Sequence, residues 1–107
     1  MAFYLVRATP TDELDDLAAW LETDEIDRMR PFGNALASSL RDARVDPETG
    51  EAVWEEEDYC TPPLRQERAA VLDDYFTDIR VERVKEGEGW AEIESYPELF
   101  SPRPIRR

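Results

Sequence analysis

Apolar and polar positions alternate at the start of the chain and then change to a helical spacing. Residues 2–7, Ala-Phe-Tyr-Leu-Val-Arg, have a period of two, which predicts a strand with Phe3 and Leu5 on one face. Residues 9–12 combine threonine caps, a proline and an acid, as the starts of helices do. The helix predicted to follow has one buried stripe, made of Leu14, Leu17, Ala18 and Leu21.

A second helical region is interrupted by a proline. The spacing predicts helix from about Thr23, but Pro31 removes a backbone donor and disfavours helical geometry at Arg30. We expect the helix to resume after Pro31 and to end around Ala43. Its apolar line consists of Phe32, Leu36 and Leu40.

The clearest turn signal lies in residues 45–54. Pro47 presets a turn and Gly50 tolerates a positive φ, with apolar residues on both sides, so a β-hairpin is predicted. A third helix is predicted after Thr61-Pro62-Pro63. Its apolar side gathers Leu64, Val71, Leu72, Tyr75 and Phe76.

A second hairpin is predicted near the end of the chain. Residues 79–84 and 90–93 read as short strands, and the connection between them contains Gly87 and Gly89. We therefore predict a single α+β domain over residues 1–97 with a flexible C-terminal tail, residues 98–107.

The element order β-α-α-β-β-α-β-β predicts a small antiparallel sheet with helices packed on one face, in a ferredoxin-like arrangement. Such a sheet leaves its second face to be covered. If Trp54 and Trp90 lie on that face, a homodimer formed by sheet-to-sheet packing would hide them. The alternative places both tryptophans in the helix-covered core.

The charge of the chain narrows the classes of partner. The formal net charge is -13 on 107 residues, and the first 60 residues carry 16 of the 26 acids but 5 of the 13 bases. Such a chain is not expected to bind nucleic acid or anionic lipid directly. Adaptation to high salt, an arginine-favouring genome or a surface shaped for a basic partner would each explain this composition.

Cysteine and histidine content limits the chemistry that is available. The chain has no histidine, and Cys60 is its only cysteine, which excludes an intrachain disulfide and a multi-cysteine zinc site. No apolar run approaches the length of a membrane span, so a cytoplasmic protein is expected. Cys60 precedes a predicted helix start, but four acids just before it repel a thiolate, and no histidine is present to act as its base. A plain buried cysteine is therefore expected rather than a nucleophile.

The acids themselves offer few candidate sites. In the run Glu55-Glu56-Glu57-Asp58, strand geometry places Glu55 and Glu57 on one face, and Glu56 and Asp58 on the other. We interpret the run as a solvated or charge-protected strand edge and expect no metal site, although carboxylates are the ligands that calcium and magnesium prefer. Adjacent acids on a helix point to different faces, so no catalytic residue is predicted.

These observations favour a non-catalytic, small acidic interaction or accessory module that binds a protein partner with a basic surface. We expect no cofactor, and a homodimer is compatible with the fold. One alternative is a small-ligand-binding protein or enzyme of the dimeric α+β-barrel type; another is an acidic nucleic-acid mimic that inhibits a DNA- or RNA-binding protein. The candidate binding residues are Trp54, Glu55, Glu57, Tyr59 and Trp90.

Overall fold

A four-stranded antiparallel open sheet forms the centre of this small α+β fold. The structure is a computed structural model that describes residues 2–100. The strands are β1 (Ala2–Pro10), β2 (Arg44–Val45), β3 (Ala52–Asp58) and β4 (Phe76–Val84), in the spatial order β2-β3-β1-β4. The helices are α1 (Leu14–Leu21), α2 (Gly33–Arg41), α3 (Arg65–Glu67), α4 (Asp73–Tyr75) and α5 (Glu88–Glu92), and a π-helical turn (Arg68–Leu72) joins α3 to α4.

Strand β1 lies between β3 and β4 and sets the register of both. Val6 pairs with Trp54 on β3 and with Val81 on β4, while Leu5 pairs with Glu55 and Glu82. Because paired residues share a face and successive residues alternate, the sheet has two distinct faces. We call them the helix face, with Tyr4, Val6, Trp54, Glu56 and Asp58, and the opposite face, with Leu5, Arg7, Val53, Glu55 and Glu57.

The helix face carries most of the core. Helices α1 and α2 and the helical segment 65–75 bury their apolar sides against it. The Trp54 ring packs on Phe76 at 5.3 Å between centroids. The stripe predicted for the first helix is confirmed, since Leu17 and Leu21 are buried and Leu14 and Ala18 half-buried. Other fully buried members of this core are Leu36, Leu40, Leu64, Val71 and Leu72.

Helix α5 covers part of the opposite face, so the expectation of helices on one face only is wrong. Leu5 and Val53 pack there against Ile93 at the end of α5. The second predicted hairpin is also wrong. Residues 79–84 belong to β4, but residues 90–92 belong to helix α5, and Ile93 lies at the end of that helix instead of in a strand. Gly87, with a φ of 82°, lies immediately before α5. A helix begins at this point because the Glu55 carboxylate, on β3, accepts the N–H groups of Gly87 and Gly89.

Two further predictions have clear outcomes. The hairpin in residues 45–54 is confirmed: β2 pairs with β3, Gly50 has a φ of 78°, and its N–H donates to the carbonyl of Asp46 at 2.8 Å. The helix expected from Thr23 is not formed, since residues 22–32 are turns. Helix α2 then begins at Gly33, after Pro31.

The end of the described chain contacts the core. The Leu99 N–H donates to the Ala43 carbonyl at 2.8 Å, and Leu99 and Phe100 are half-buried against the helix-covered core. Residues 98–100, which we assigned to the tail, therefore pack on the domain, and residues 101–107 lie outside the described residues. Within residues 2–100, no helix combines the length and the apolar character needed to cross a membrane.

Candidate functional site

The five candidate binding residues lie in three different environments. Trp54 is fully buried in the core of the helix face, and Trp90 is half-buried on α5. Tyr59 is 72% exposed, and its hydroxyl donates to Glu57 at 3.0 Å. Glu55 is buried beneath α5. The structure thus brings Tyr59 together with Glu57, and Glu55 together with Trp90, but it does not join the five into one surface.

Glu55 holds the start of α5. Its Oε1 accepts the N–H groups of Gly89 at 2.8 Å and Trp90 at 3.2 Å, and its Oε2 accepts that of Gly87 at 2.8 Å. These are three of the four donors that the start of a helix leaves without an internal partner, and the fourth, the Glu88 N–H, donates to the Lys85 carbonyl at 2.9 Å. Glu55 is therefore a capping residue that fixes α5 to β3.

The acidic run of β3 is not a solvated edge. Glu55 and Asp58 are each 4% exposed and Glu56 is 1% exposed, because α5 covers one face of β3, and α2 and the helical segment 65–75 cover the other. The predicted alternation of the run is confirmed by the register. What the sequence does not show is that an acid from another element, Glu67, lies buried beside Glu56 and Asp58.

We call Glu56, Asp58 and Glu67 the carboxylate cluster. The Trp54 indole N–H donates to Glu56 Oε1 at 3.0 Å. Asp58 Oδ2 accepts two backbone N–H groups, from Leu64 at 2.6 Å and from Cys60 at 3.2 Å, and so holds the loop that leads into α3.

The loop brings a thiol to the same place. Cys60 is half-buried instead of fully buried as expected, and its Sγ lies 3.7 Å from Gln66 Oε1. One potential ligand atom each from Asp58, Cys60 and Glu67 lie within 4.8 Å of one another. Leu64 has a φ of 65°, and this left-handed residue turns the chain so that α3 begins with Glu67 facing inward.

Burial dominates the electrostatics of the cluster. Burial, and after it the nearby Asp58, raise the pKa of Glu67 to about 7. Burial also raises the pKa of Glu56 well above its usual value, with smaller contributions from the negative charges of Glu67 and Asp58. No ion pair within residues 2–100 joins any of these three carboxylates to a base.

A second group of acids lies on the outside of α1. The segment 12–25 holds seven exposed acids and no base. Two of them, Glu13 and Asp16, lie close to Tyr75 together with Asp74. Burial first, and then the charges of Asp16, Asp74 and Glu13, raise the pKa of Tyr75.

Two aromatic rings lie between these acids. Trp20 and Tyr75 are half-buried, with ring centroids 6.2 Å apart and planes tilted by 49°. The Trp20 indole N–H donates to Glu25 at 2.7 Å. We call this surface the acid–aromatic patch; it consists of Glu13, Asp16, Trp20, Asp74 and Tyr75.

The sequence contained a weak signal for the patch. Trp20 lies off the buried stripe of the first helix, which predicts a partly exposed indole. The approach of Asp74 and Tyr75 to α1 could not be predicted from the sequence, because it depends on how the helical segment 65–75 packs beside α1. A backbone hydrogen bond from Thr11 to the Tyr75 carbonyl at 2.9 Å fixes that approach.

A groove of about 580 Å³ lies at the end of the sheet where β1 begins and β4 ends, and it is open to solvent. Its lining includes the apolar side chains of Phe3 and Val84 and the charged side chains of Arg83, Lys85 and Glu86. A small-ligand protein would use an enclosed cavity with a convergent polar group, and this open groove does not have that form.

The chain was also compared with known proteins. No protein-family model, no curated protein and no solved structure matches it.

Proposed function

We propose that this protein is a non-catalytic acidic module that binds a basic segment of a protein partner through the acid–aromatic patch. One observation carries the proposal. Asp16 on α1 lies close to Tyr75 and to the charge of its chain neighbour Asp74 on α4, and within the described residues neither carboxylate has an ion-pair partner.

The chemistry of the patch suits arginine and lysine. A guanidinium or ammonium group is attracted to the face of an indole or phenol, by about 0.5–1 kcal/mol at an exposed site, and here carboxylates lie close to both rings. The net charge of -13 steers a basic partner from a distance and repels nucleic acid and anionic lipid. Both contributions act on the same class of ligand.

The fold and assembly we propose are more specific than the α+β class. The strand order β2-β3-β1-β4 supports a ferredoxin-like arrangement. The outer side of β4 ends the sheet, and most of its residues are exposed, which supports a homodimer formed through this strand and the neighbouring opposite face. The lone free cysteine suits the cytoplasm.

A nucleic-acid mimic is the second candidate, and it would use the same region. Its support is the row of exposed acids in residues 12–25, which no base interrupts between Arg7 and Arg28. A mimic would bind the basic groove of a DNA-binding protein and be displaced by DNA. A module that recognises basic peptides would keep its ligand when DNA is added.

Binding of a synthetic peptide of alternating arginine and serine tests the proposal. The double variant Asp16→Asn/Asp74→Asn removes two charges from the patch. Its control, Glu86→Gln/Glu94→Gln, removes two exposed charges elsewhere. At about 0.15 M ionic strength, where charges more than about 8 Å apart are largely screened, we expect the first pair to weaken binding by more than about tenfold and the control by less than about twofold.

A spectrophotometric titration, compared with that of Tyr75→Phe to separate Tyr75 from the other three tyrosines, supplies the second readout. A bound guanidinium offsets the charges of the surrounding acids, so the peptide is expected to lower the pKa of Tyr75. Equal losses of affinity in the two double variants would mean that net charge alone attracts the peptide, and the proposal would be rejected.

A further inference from the structure

We propose that Asp58, Cys60 and Glu67 form a binding site for a zinc ion. This inference does not depend on the proposed function, because none of the three ligands belongs to the acid–aromatic patch. A carboxylate oxygen from Asp58, the Cys60 sulfur and a carboxylate oxygen from Glu67 lie within 4.8 Å of one another. Three ligands that approach this closely can be bridged by one ion with bonds of about 2.0–2.3 Å after small side-chain rotations.

Two buried carboxylate oxygens lie at the same place. Glu56 Oε2 and Glu67 Oε1 are both inaccessible to solvent and receive no N–H or O–H donor from residues 2–100 when the carboxyls are ionised, and the side chains of Glu56, Glu67 and Asp58 adjoin one another. Glu56 and Glu67 are each 1% exposed. Buried polar atoms are normally satisfied, and each exception calls for a specific explanation such as an ion. A cation beside Glu67 would satisfy its free oxygen, with Glu56 as a fourth ligand or as the acceptor for a bound water.

The negative charge of the site also favours a bound cation. Three carboxylates lie together in the interior without an arginine or lysine paired to them in the described part of the chain. Buried charges that are not paired with a base normally coordinate a metal or become neutral. A divalent cation would neutralise two of the negative charges at once.

The ligand types select the metal. Calcium and magnesium take oxygen ligands and gain nothing from sulfur. A thiolate combined with carboxylates is a donor set that zinc accepts. Metal binding requires Cys60 and Glu67 to be deprotonated, so it should release protons.

A zinc ion can reach the site from solvent on the side of the thiol. Cys60 is half-buried and Gln66 beside it is exposed, so this side of the site lies at the protein surface. The remaining ligands are held from behind: Asp58 by the N–H groups of Cys60 and Leu64, and Glu67 by the turn of α3. Preorganised ligands of this kind limit the entropy lost on binding.

Calorimetric titration of the chelator-treated protein with zinc tests the site. The variants are Cys60→Ser and Glu67→Gln, both nearly isosteric, and the control is Glu57→Gln, which changes an acid of β3 on the opposite face. The expected result is one zinc ion per chain and a loss of affinity of at least about tenfold in each site variant, since even supporting groups of metal sites contribute that much. Glu57→Gln should bind zinc as the unchanged protein does.

Two further measurements keep the test decisive if a variant folds poorly. In the unchanged protein, one equivalent of zinc should slow alkylation of Cys60, and cobalt should give the ultraviolet charge-transfer absorption of a cobalt–thiolate bond. The proposal is overturned if zinc does not protect the thiol, which would indicate carboxyls that share protons instead. It is also overturned if calcium binds more tightly than zinc and Cys60→Ser leaves that binding unchanged.

Discussion

Replacing Glu55 by alanine should destabilise the fold strongly, although Glu55 lies in a run of acids that resembles a solvated surface. The carboxylate accepts three backbone N–H groups at the start of α5. Gly89 is buried, so its donor would be left without a partner at a cost of about 1–3 kcal/mol. The donors of Gly87 and Trp90 are partly accessible to water and would each lose about 0.5 kcal/mol.

The expected total is therefore a loss of about 2–4 kcal/mol from the free energy of unfolding, which is a large part of the 5–15 kcal/mol typical of a domain. At 107 residues this corresponds to a fall in Tm on the order of 10 °C. Glu55→Gln keeps one acceptor oxygen and should lose about half as much.

Urea unfolding followed by tryptophan fluorescence measures these losses, and Glu57→Ala is the matched control. Glu57 lies on the same face two residues along β3, but it is half-exposed and its side chain accepts one hydrogen bond, from Tyr59. Its replacement should change the free energy of unfolding by about 0.5 kcal/mol or less. If Glu55→Ala and Glu57→Ala cost the same, the capping role assigned to Glu55 is incorrect.

Two other predictions concern stability. Gly33→Ala should cost about 3 kcal/mol or more, because a Cβ there would overlap backbone carbonyl oxygens of the preceding turn, whereas the exposed neighbour Asn34→Ala should stay within about 0.5 kcal/mol in the same urea assay. The Glu48 N–H and then Arg7 lower the pKa of Asp46 in the folded state. The ionised Asp46 carboxylate therefore stabilises the fold above its unfolded-state pKa of about 3.9, and this stabilisation is lost as the pH falls below that value toward the folded-state pKa. Asp46→Asn should therefore lower the urea midpoint at about pH 6 and have little effect at about pH 2; a similar loss at both would contradict this.

The sequence predicts those elements whose signals are local. The period of two in β1, the apolar stripe of α1 and the Pro47–Gly50 turn each lie within ten residues, and all three form as predicted. The hairpin proposed around Gly87 fails because the deciding acceptor, Glu55, comes from a strand more than thirty residues earlier. A glycine-containing turn serves a hairpin or a helix equally well until that acceptor is known.

The candidate sites show the same limit. The alternation of Glu55 to Asp58 was predictable from strand geometry, but their burial depends on α5 and on Glu67, which pack over the two faces. Acids in a run normally lie in solvent, so the sequence favours the wrong environment. The acid–aromatic patch is likewise assembled from two helical segments, and only tertiary packing brings Asp74 and Tyr75 to α1.

The position of β1 has a consequence for how the chain acquires its fold. Leu5 on this central strand pairs with Glu55 and with Glu82, so both of its neighbours are synthesised long after it. Sheets built from such distant partners form slowly, because a large loop must close before any pairing is gained. During translation β1 therefore has no strand to pair with until β3 has been synthesised, and the high charge of the chain favours hydration of the unpaired strand until then.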